Sequence, residues 1–195
     1  MLGNSVLVVI PEYGDKKFWL PFTMRAMQSV ENQTVDCDWR IVDAGDLQSC
    51  RNTGGLTAET DYLIFLDADD TLSPTYIEEM LKGTGDIRVP SVHRHYEDGR
   101  IDTDQKWYTP IPLIQRNYIV VSAMIRTSLF KQLGGFHDYE SLEDWDLWLR
   151  AEEAGATFEQ IPSAVLHVNK RVGSRNSNNS YVEILNNAKQ RRITP

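Results

Sequence analysis

The sequence predicts an α/β domain with a mixed, mostly parallel central sheet flanked by helices. Three observations carry that expectation. Apolar runs at 5–10 (SVLVVI), 39–42 (WRIV) and 62–66 (YLIFL) alternate with helix-patterned or polar stretches. Alternation of this kind builds a parallel sheet with covered faces. The runs are nearly continuous in apolar residues, as expected of strands buried on both sides. Each run also ends in polar candidates: Glu12 and Tyr13 after Pro11, Asp43 after the second, and Asp67 to Asp70 after the third. In such sheets ligands collect beyond the carboxyl ends of the strands.

The elements follow in order. Pro11 closes the first run, and a helical pattern covers about 18–33, with Phe22, Ala26 and Val30 at fourfold spacing. Pro21 places its regular start near Leu20. Residues 46–59 are polar, contain Gly54-Gly55 and suggest only a short helix around 48–52. After the third strand, Ser73 as N-cap and Pro74 at the first helical position open a helix that Gly83 stops. Residues 86–92 form a strand interrupted by Pro90, and Asp98-Gly99 suits a hairpin turn within the polar and aromatic region 93–112. A strand over 118–125, a short helix over 128–133 and Gly134-Gly135 come next. Glu143 to Ala154 is a helix with Asp144 as N-cap and an apolar stripe of Trp145, Trp148 and Leu149. Short strands at 157–161 and 164–168 and a weak helix at 181–190 complete the chain.

A length of 195 residues suits one domain. The net charge of −8 argues against a chain built to coat nucleic acid or an anionic membrane. No apolar segment approaches the roughly 20 residues that span a bilayer. The N-terminal stretch lacks the basic region and cleavage site of a signal peptide. Cys37 and Cys50 show no metal or redox spacing, so reduced structural thiols and a cytoplasmic location are expected.

The stretch YLIFLDADDTL, 62–72, carries most of the chemistry. Asp67, Asp69 and Asp70 crowd three carboxylates at a strand end, and their mutual repulsion raises the cost of ionising all three. A divalent cation removes that repulsion, and an oxygen-only donor set suits Mg²⁺ or Mn²⁺. A solvated acidic turn is the plain alternative.

DADDT fits two enzyme families. It resembles the signature of haloacid-dehalogenase-like phosphatases, which would make Asp67 a nucleophile, Asp69 an acid/base and Thr71 a phosphate ligand. That family places the strand near its N-terminus, whereas here two strand–helix units precede it. Much more of the chain resembles family-2-type glycosyltransferases of the GT-A fold. The motifs run VLVVIPEYG, WRIVDAG, SCRNTGG, YLIFLDADDTLSPTYIEEML, VVSAMIRTSLFKQLGGF and LEDWDLWLRAEEAG, in the family's order.

That resemblance implies a metal-dependent, inverting transferase that moves a sugar from a nucleotide-sugar donor to an acceptor hydroxyl. Pro11, Glu12 and Tyr13 then face the donor nucleotide, Asp43 the nucleobase, and Arg51 the phosphates or their loop. Asp67 and Ala68 belong to the donor site, and Asp69 ligates Mn²⁺ or Mg²⁺. Asp70 is expected to be an acidic turn residue or a partner standing behind the metal ligands. Gly135 lets backbone approach the donor, Asp144 is the base, and Glu143 and Trp145 are acceptor candidates, with core packing the alternative for Trp145. His167 or Arg171 completes the metal and pyrophosphate site. The implied organisation is one domain over 1–195. It comprises a nucleotide-sugar half to about 92, an acceptor and catalytic half over 93–168, and a tail, 169–195, that either closes over the donor or is a solvated loop. The donor is expected to be UDP-linked. The acceptor stays open among a glycan, a small molecule, a protein and a modified nucleobase, with Tyr96, Trp107 and Tyr108 near it. A catalytically silent nucleotide-sugar-binding module on the same fold is the remaining alternative.

Overall fold

The computed structural model describes residues 5–103, 112–170 and 181–193. Its sheet begins with three parallel strands, β1 (Val6–Pro11), β2 (Asp38–Val42) and β3 (Tyr62–Phe65), with β1 between the other two. Every residue of β1 and β3 is buried, as their continuous apolar composition predicts. Past β3 the sheet turns mixed. β7 (Met124–Arg126) pairs antiparallel with β3 and with β5 (Ile87–Tyr96), and β8 (Phe158–Lys170) runs parallel to β5. β4 (Thr71–Leu72) closes the far edge against β8, while β6 (Ile101–Thr103) forms a hairpin with β5 through Gly99, whose φ is 82°.

Side chains of β1 point alternately into two cores. Val6, Val8 and Ile10 meet Ala26 and Val30 of α1 (Lys16–Glu31) and Tyr76, Ile77 and Met80 of α3 (Tyr76–Lys82). Leu7 and Val9 join a second core with Phe130 of α4 (Thr127–Gln132) and Trp145 and Trp148 of α5 (Glu143–Glu153). Each such aliphatic or aromatic side chain contributes about 1.5–3 kcal/mol on burial. The last helix, α6 (Tyr181–Ile193), adds Ile184 and Ala188 to the second core.

Several elements depart from the sequence expectation for definable reasons. α1 starts at Lys16 and carries Pro21 inside it, because Asp15 accepts from the amides of Lys17 and Phe18 and so fixes the first turn. α2 (Leu47–Leu56) is longer than expected and includes both glycines. A Cβ on Gly54 would stand 2.5 Å from Val9 Cγ1, and one on Gly55 the same distance from Phe130 Cε1. The glycines are therefore there for close helix–sheet approach, not to break the helix. Thr75, not Ser73, precedes α3 as its N-cap. Of the expected strand 118–125 only 124 and 125 pair, as part of β7, and the two short C-terminal strands are one long β8. Pro90 is accommodated inside β5 by a register shift between Pro90 and Ser91.

Candidate active site

Arg51 organises the site. It projects from α2 as a 2% exposed side chain and ion-pairs through Nη2 with Asp67 and through Nη1 with Glu143. Burial opposes its charge, but the two carboxylates outweigh burial and hold the guanidinium's pKa above its ordinary value. Its plane lies 5.4 Å from the centroid of Phe136. One guanidinium thus ties the end of β3 to the start of α5.

α5 opens on an unusual residue. Leu142 has φ 62°, and is the one positive-φ residue other than glycine among the described residues. That left-handed conformation costs about 1–2 kcal/mol. The Leu142 carbonyl accepts from the amides of Trp145 (3.0 Å) and Asp146 (3.3 Å), which puts Glu143 and Asp144 in the first helical turn. The helix dipole favours negative charge there. Asp144 is therefore inside the helix and not its N-cap. Its Oδ1 accepts from the Trp145 amide (2.7 Å) and from Asn117 Nδ2 (3.2 Å). Burial first, then the neighbouring Glu143 charge, push its carboxyl up to about 7, with Arg51 pulling the other way. A carboxylate poised there suits general-base work near neutral pH.

Arg51, Asp67, Glu143 and Asp144 line one cavity of about 650 Å³, with Asn117 and Asp70 also in its wall. Asp70 closes a turn, its amide donating to the Asp67 carbonyl at 3.0 Å, and its side chain is buried. Burial, followed by the charges of Asp67 and Asp69, raises its pKa well above the carboxylate range, and the Asn169 amide donates to Oδ1 at 3.1 Å. The crowding of negative charge anticipated for DADD is therefore real.

The other predicted positions do not line this cavity. Pro11 ends β1, and the Glu12 amide donates to the Val42 carbonyl at 2.9 Å, joining the ends of β1 and β2. Tyr13 packs half-buried on the second core. Asp43 is exposed and paired with Lys16 at 2.6 Å, which holds its carboxyl below the usual range. Ala68 is buried, and the half-buried Asp69 receives the Asn169 side-chain amide on its backbone carbonyl.

Four predicted residues have partners of their own in the structure. Glu143 is 7% exposed, lines the cavity and pairs through Oε1 with Arg51. Trp145 is 1% exposed, with Nε1 on the Leu113 carbonyl, so it is core and not a sugar platform. A Cβ on Gly135, at φ 79°, would meet Asn52 Oδ1 at 2.4 Å, so its smallness serves α2 rather than a ligand. His167 lies between the cavity-lining Leu166 and Val168 on β8, and its Nδ1 meets His95 Nε2 at 3.0 Å. Trp107, Tyr108 and Arg171 lie outside the described residues.

The sequence gives little warning of three further residues. Asn52 clamps the glycine loop by accepting from the Phe136 amide and donating to its carbonyl, each at 2.8 Å. Asp146 is fully buried among Arg150 (2.8 Å), His137 (3.0 Å) and Arg191 of α6 (3.3 Å). Arg150 also donates to the carbonyls of Leu133 and Gly135. The DWDLWLR spacing places Asp146 and Arg150 four apart on one helix face, a signal that was available. Among the described residues no three His, Cys, Asp or Glu side chains form a ready metal group. A cation held by one or two carboxylates and a donor's phosphates needs no such group, and the Asp67–Asp70 cluster fits that mode.

A strand-end cavity, a buried Arg–Asp–Glu core and a carboxylate held near neutrality sit on a mixed α/β sheet, and comparison with solved structures gives this sheet the GT-A fold. Residues 44–138 match the family described as Glycosyl transferase family 2. The pre-mycofactocin glycosyltransferase of Mycobacterium tuberculosis, in strains CDC 1551 and H37Rv, is 30% identical over 135 residues, covering 60% of this chain and 29% of that protein. The Staphylococcus aureus TarS 1–349 structure in complex with UDP-GlcNAc superposes with a TM-score of 0.74 at 13% identity, over 97% of this chain and 67% of that one. The TarS 1–349 complex with UDP gives 0.72 at 14%, over 97% and 66%. The match to the family-2 description covers just under half of the chain, and the chain spans under a third of the length of the curated relatives it matches.

Proposed function

We propose that this protein transfers a sugar from a UDP-linked donor to an acceptor hydroxyl by single displacement with inversion, and that Asp144 is the general base. The carrying observation is Asp144 itself, held near 7 in a cavity that also contains Arg51 and Asp67. Asp144 takes the acceptor proton as the new carbon–oxygen bond forms and the bond to the β-phosphate breaks, releasing UDP. Asn117 orients the carboxyl, and Arg51 fixes Asp67 and Glu143 so that neither drifts toward the base. Asp67 and Asp69 would hold Mn²⁺ or Mg²⁺ with the donor phosphates, and the cation would neutralise charge on the departing diphosphate. Support for a UDP donor comes from the TarS complexes, whose own ligands are UDP-GlcNAc and UDP.

Within this reading the chain is one transferase unit, its donor half ending near residue 92 and its acceptor half spanning 93–168. No described helix is long and apolar enough to cross a membrane, and Cys37 and Cys50 are free thiols, which supports work in the cytoplasm. A thermal-shift screen of nucleotide sugars with and without Mn²⁺ tests the proposal. A metal-dependent shift with UDP-GlcNAc and release of UDP is expected. No shift with any nucleotide sugar would sink it, and hydrolysis of p-nitrophenyl phosphate lost in Asp67→Asn would favour the phosphatase instead.

A further inference from the structure

Among the described residues β2 is the outermost strand on one side of the sheet, paired with β1 alone. A strand so placed presents a row of backbone donors and acceptors to any further strand. The Glu12 amide donates to the Val42 carbonyl at 2.9 Å, so Val42 turns its backbone toward β1. Alternate residues of a parallel strand do the same, which leaves the backbone groups of Trp39 and Ile41 at the open edge. Their side chains share the face of Val8 and Ile10 and are exposed. On that face lies α1, where Ser29 on one flank accepts the Leu72 amide of β4 at 3.1 Å. Helical spacing puts Leu20 and Met24 on the opposite flank, toward β2, and both are exposed. The open edge is thus rimmed by an apolar strip of Leu20, Met24, Trp39 and Ile41.

Charge selects what fits this edge. On the other face of β2, Asp38 and Arg40 are exposed, and among the described residues neither forms an ion pair. Arg40 Nη1 donates to the Thr57 hydroxyl at 3.2 Å. When two β2 strands pair antiparallel about Trp39, Asp38 of each copy stands opposite Arg40 of the other. Those are the closer, non-hydrogen-bonded positions, where opposite charges attract most. A register centred on Arg40 sets two guanidinium groups face to face, and one centred on Asp38 sets two carboxylates so; both repel. A register centred on Ile41 leaves both charges unmatched. We infer that β2 pairs antiparallel with β2 of a second copy of this chain, centred on Trp39, to make one sheet across a twofold axis. A twofold interface must be complementary to itself, and the DWRIV strand supplies both signs of charge at the spacing this requires. No residue lining the cavity belongs to β2 or α1, so the pairing surface is separate from the proposed site.

The test is a charge exchange followed by analytical ultracentrifugation from about 1 to 100 μM. Wild type should pass from monomer to dimer across that range. Asp38→Arg and Arg40→Asp each make both cross-strand pairs repulsive, and each should raise the dimer Kd at least about tenfold. Mixed in equal amounts, the two variants regain opposite charges at both pairs and should form a mixed dimer. The double variant, Asp38→Arg with Arg40→Asp, should dimerise with itself. Hydrogen exchange on the wild type gives a second readout that needs no substitution. The Trp39 and Ile41 amides should exchange at least about tenfold more slowly at the concentrated end than at the dilute end. A wild type that stays monomeric throughout leaves the edge to some other chain and overturns the assignment. So does a dimer that both single changes leave intact, a mixture of variants that stays monomeric, or exchange at Trp39 and Ile41 that ignores concentration.

Discussion

At the scale of single residues, the proposed function rests on Asp144 and Arg51. The base role proposed for Asp144 requires an ionised carboxylate, and its folded pKa is raised to about 7. The sign follows: the active carboxylate is depleted as pH falls through 7. We expect kcat/KM to drop about tenfold per unit below that value and to level off above it, measured by UDP release across pH 5.5–8.5. A profile flat to pH 5.5 would contradict the assignment. Arg51 is structural as much as functional. Arg51→Leu leaves Glu143 buried without its partner and should cost about 3–5 kcal/mol, read as a lower midpoint in denaturant unfolding. The motifs made Arg51, Asp67 and Asp144 visible in the sequence. The pairing of Arg51 with Glu143 was not visible, since it joins residues 92 apart whose meeting depends on how α2 and α5 pack. The burial of Trp145 was equally illegible, because a tryptophan at helical spacing reads the same whether it faces core or ligand.

Among the elements, α2 shows how local signals mislead when packing has the last word. Gly54-Gly55 reads as a break, yet both residues are helical because the sheet and α4 leave no room for a Cβ. Gly54→Ala gains about 1 kcal/mol of helix propensity, but it drives a methyl to within 2.5 Å of Val9, on a strand that cannot retreat. Overpacking of this kind costs about 1–3 kcal/mol, so the net effect expected is a lower Tm by calorimetry. The strands β1 and β3 were legible because burial on both faces leaves an unbroken apolar run. β4 was not, since two residues, Thr71 and Leu72, carry no period of their own and pair only where β8 passes.

α6 is held by the same buried carboxylate that fixes the glycine loop. Arg191 reaches Asp146 at 3.3 Å and Glu153 at 2.6 Å, while Arg150 links Asp146 to the carbonyls of Leu133 and Gly135. Arg150 and His137 remain on Asp146 when Arg191 is replaced, so Arg191→Met should cost only about 1 kcal/mol, measured by thermal unfolding. A larger loss would mean that α6 carries more of the fold than its contacts indicate.

For the whole molecule, the fold class and the order of the first three strands follow from strand–helix alternation. The antiparallel β3–β7–β5 pairing does not, because it joins segments far apart in sequence whose patterns are short. The outcome is a cavity at the strand ends lined by acidic, basic and apolar side chains together. The central claim is that Asp144 performs the chemistry of sugar transfer and contributes little to holding the donor. The most direct test compares wild type with Asp144→Asn, measuring UDP release from UDP-GlcNAc with Mn²⁺ and, on the same samples, UDP-GlcNAc affinity by calorimetry. Turnover lower by about 10²–10⁴-fold at unchanged affinity is expected; retained turnover, or turnover and donor binding lost together, would contradict it.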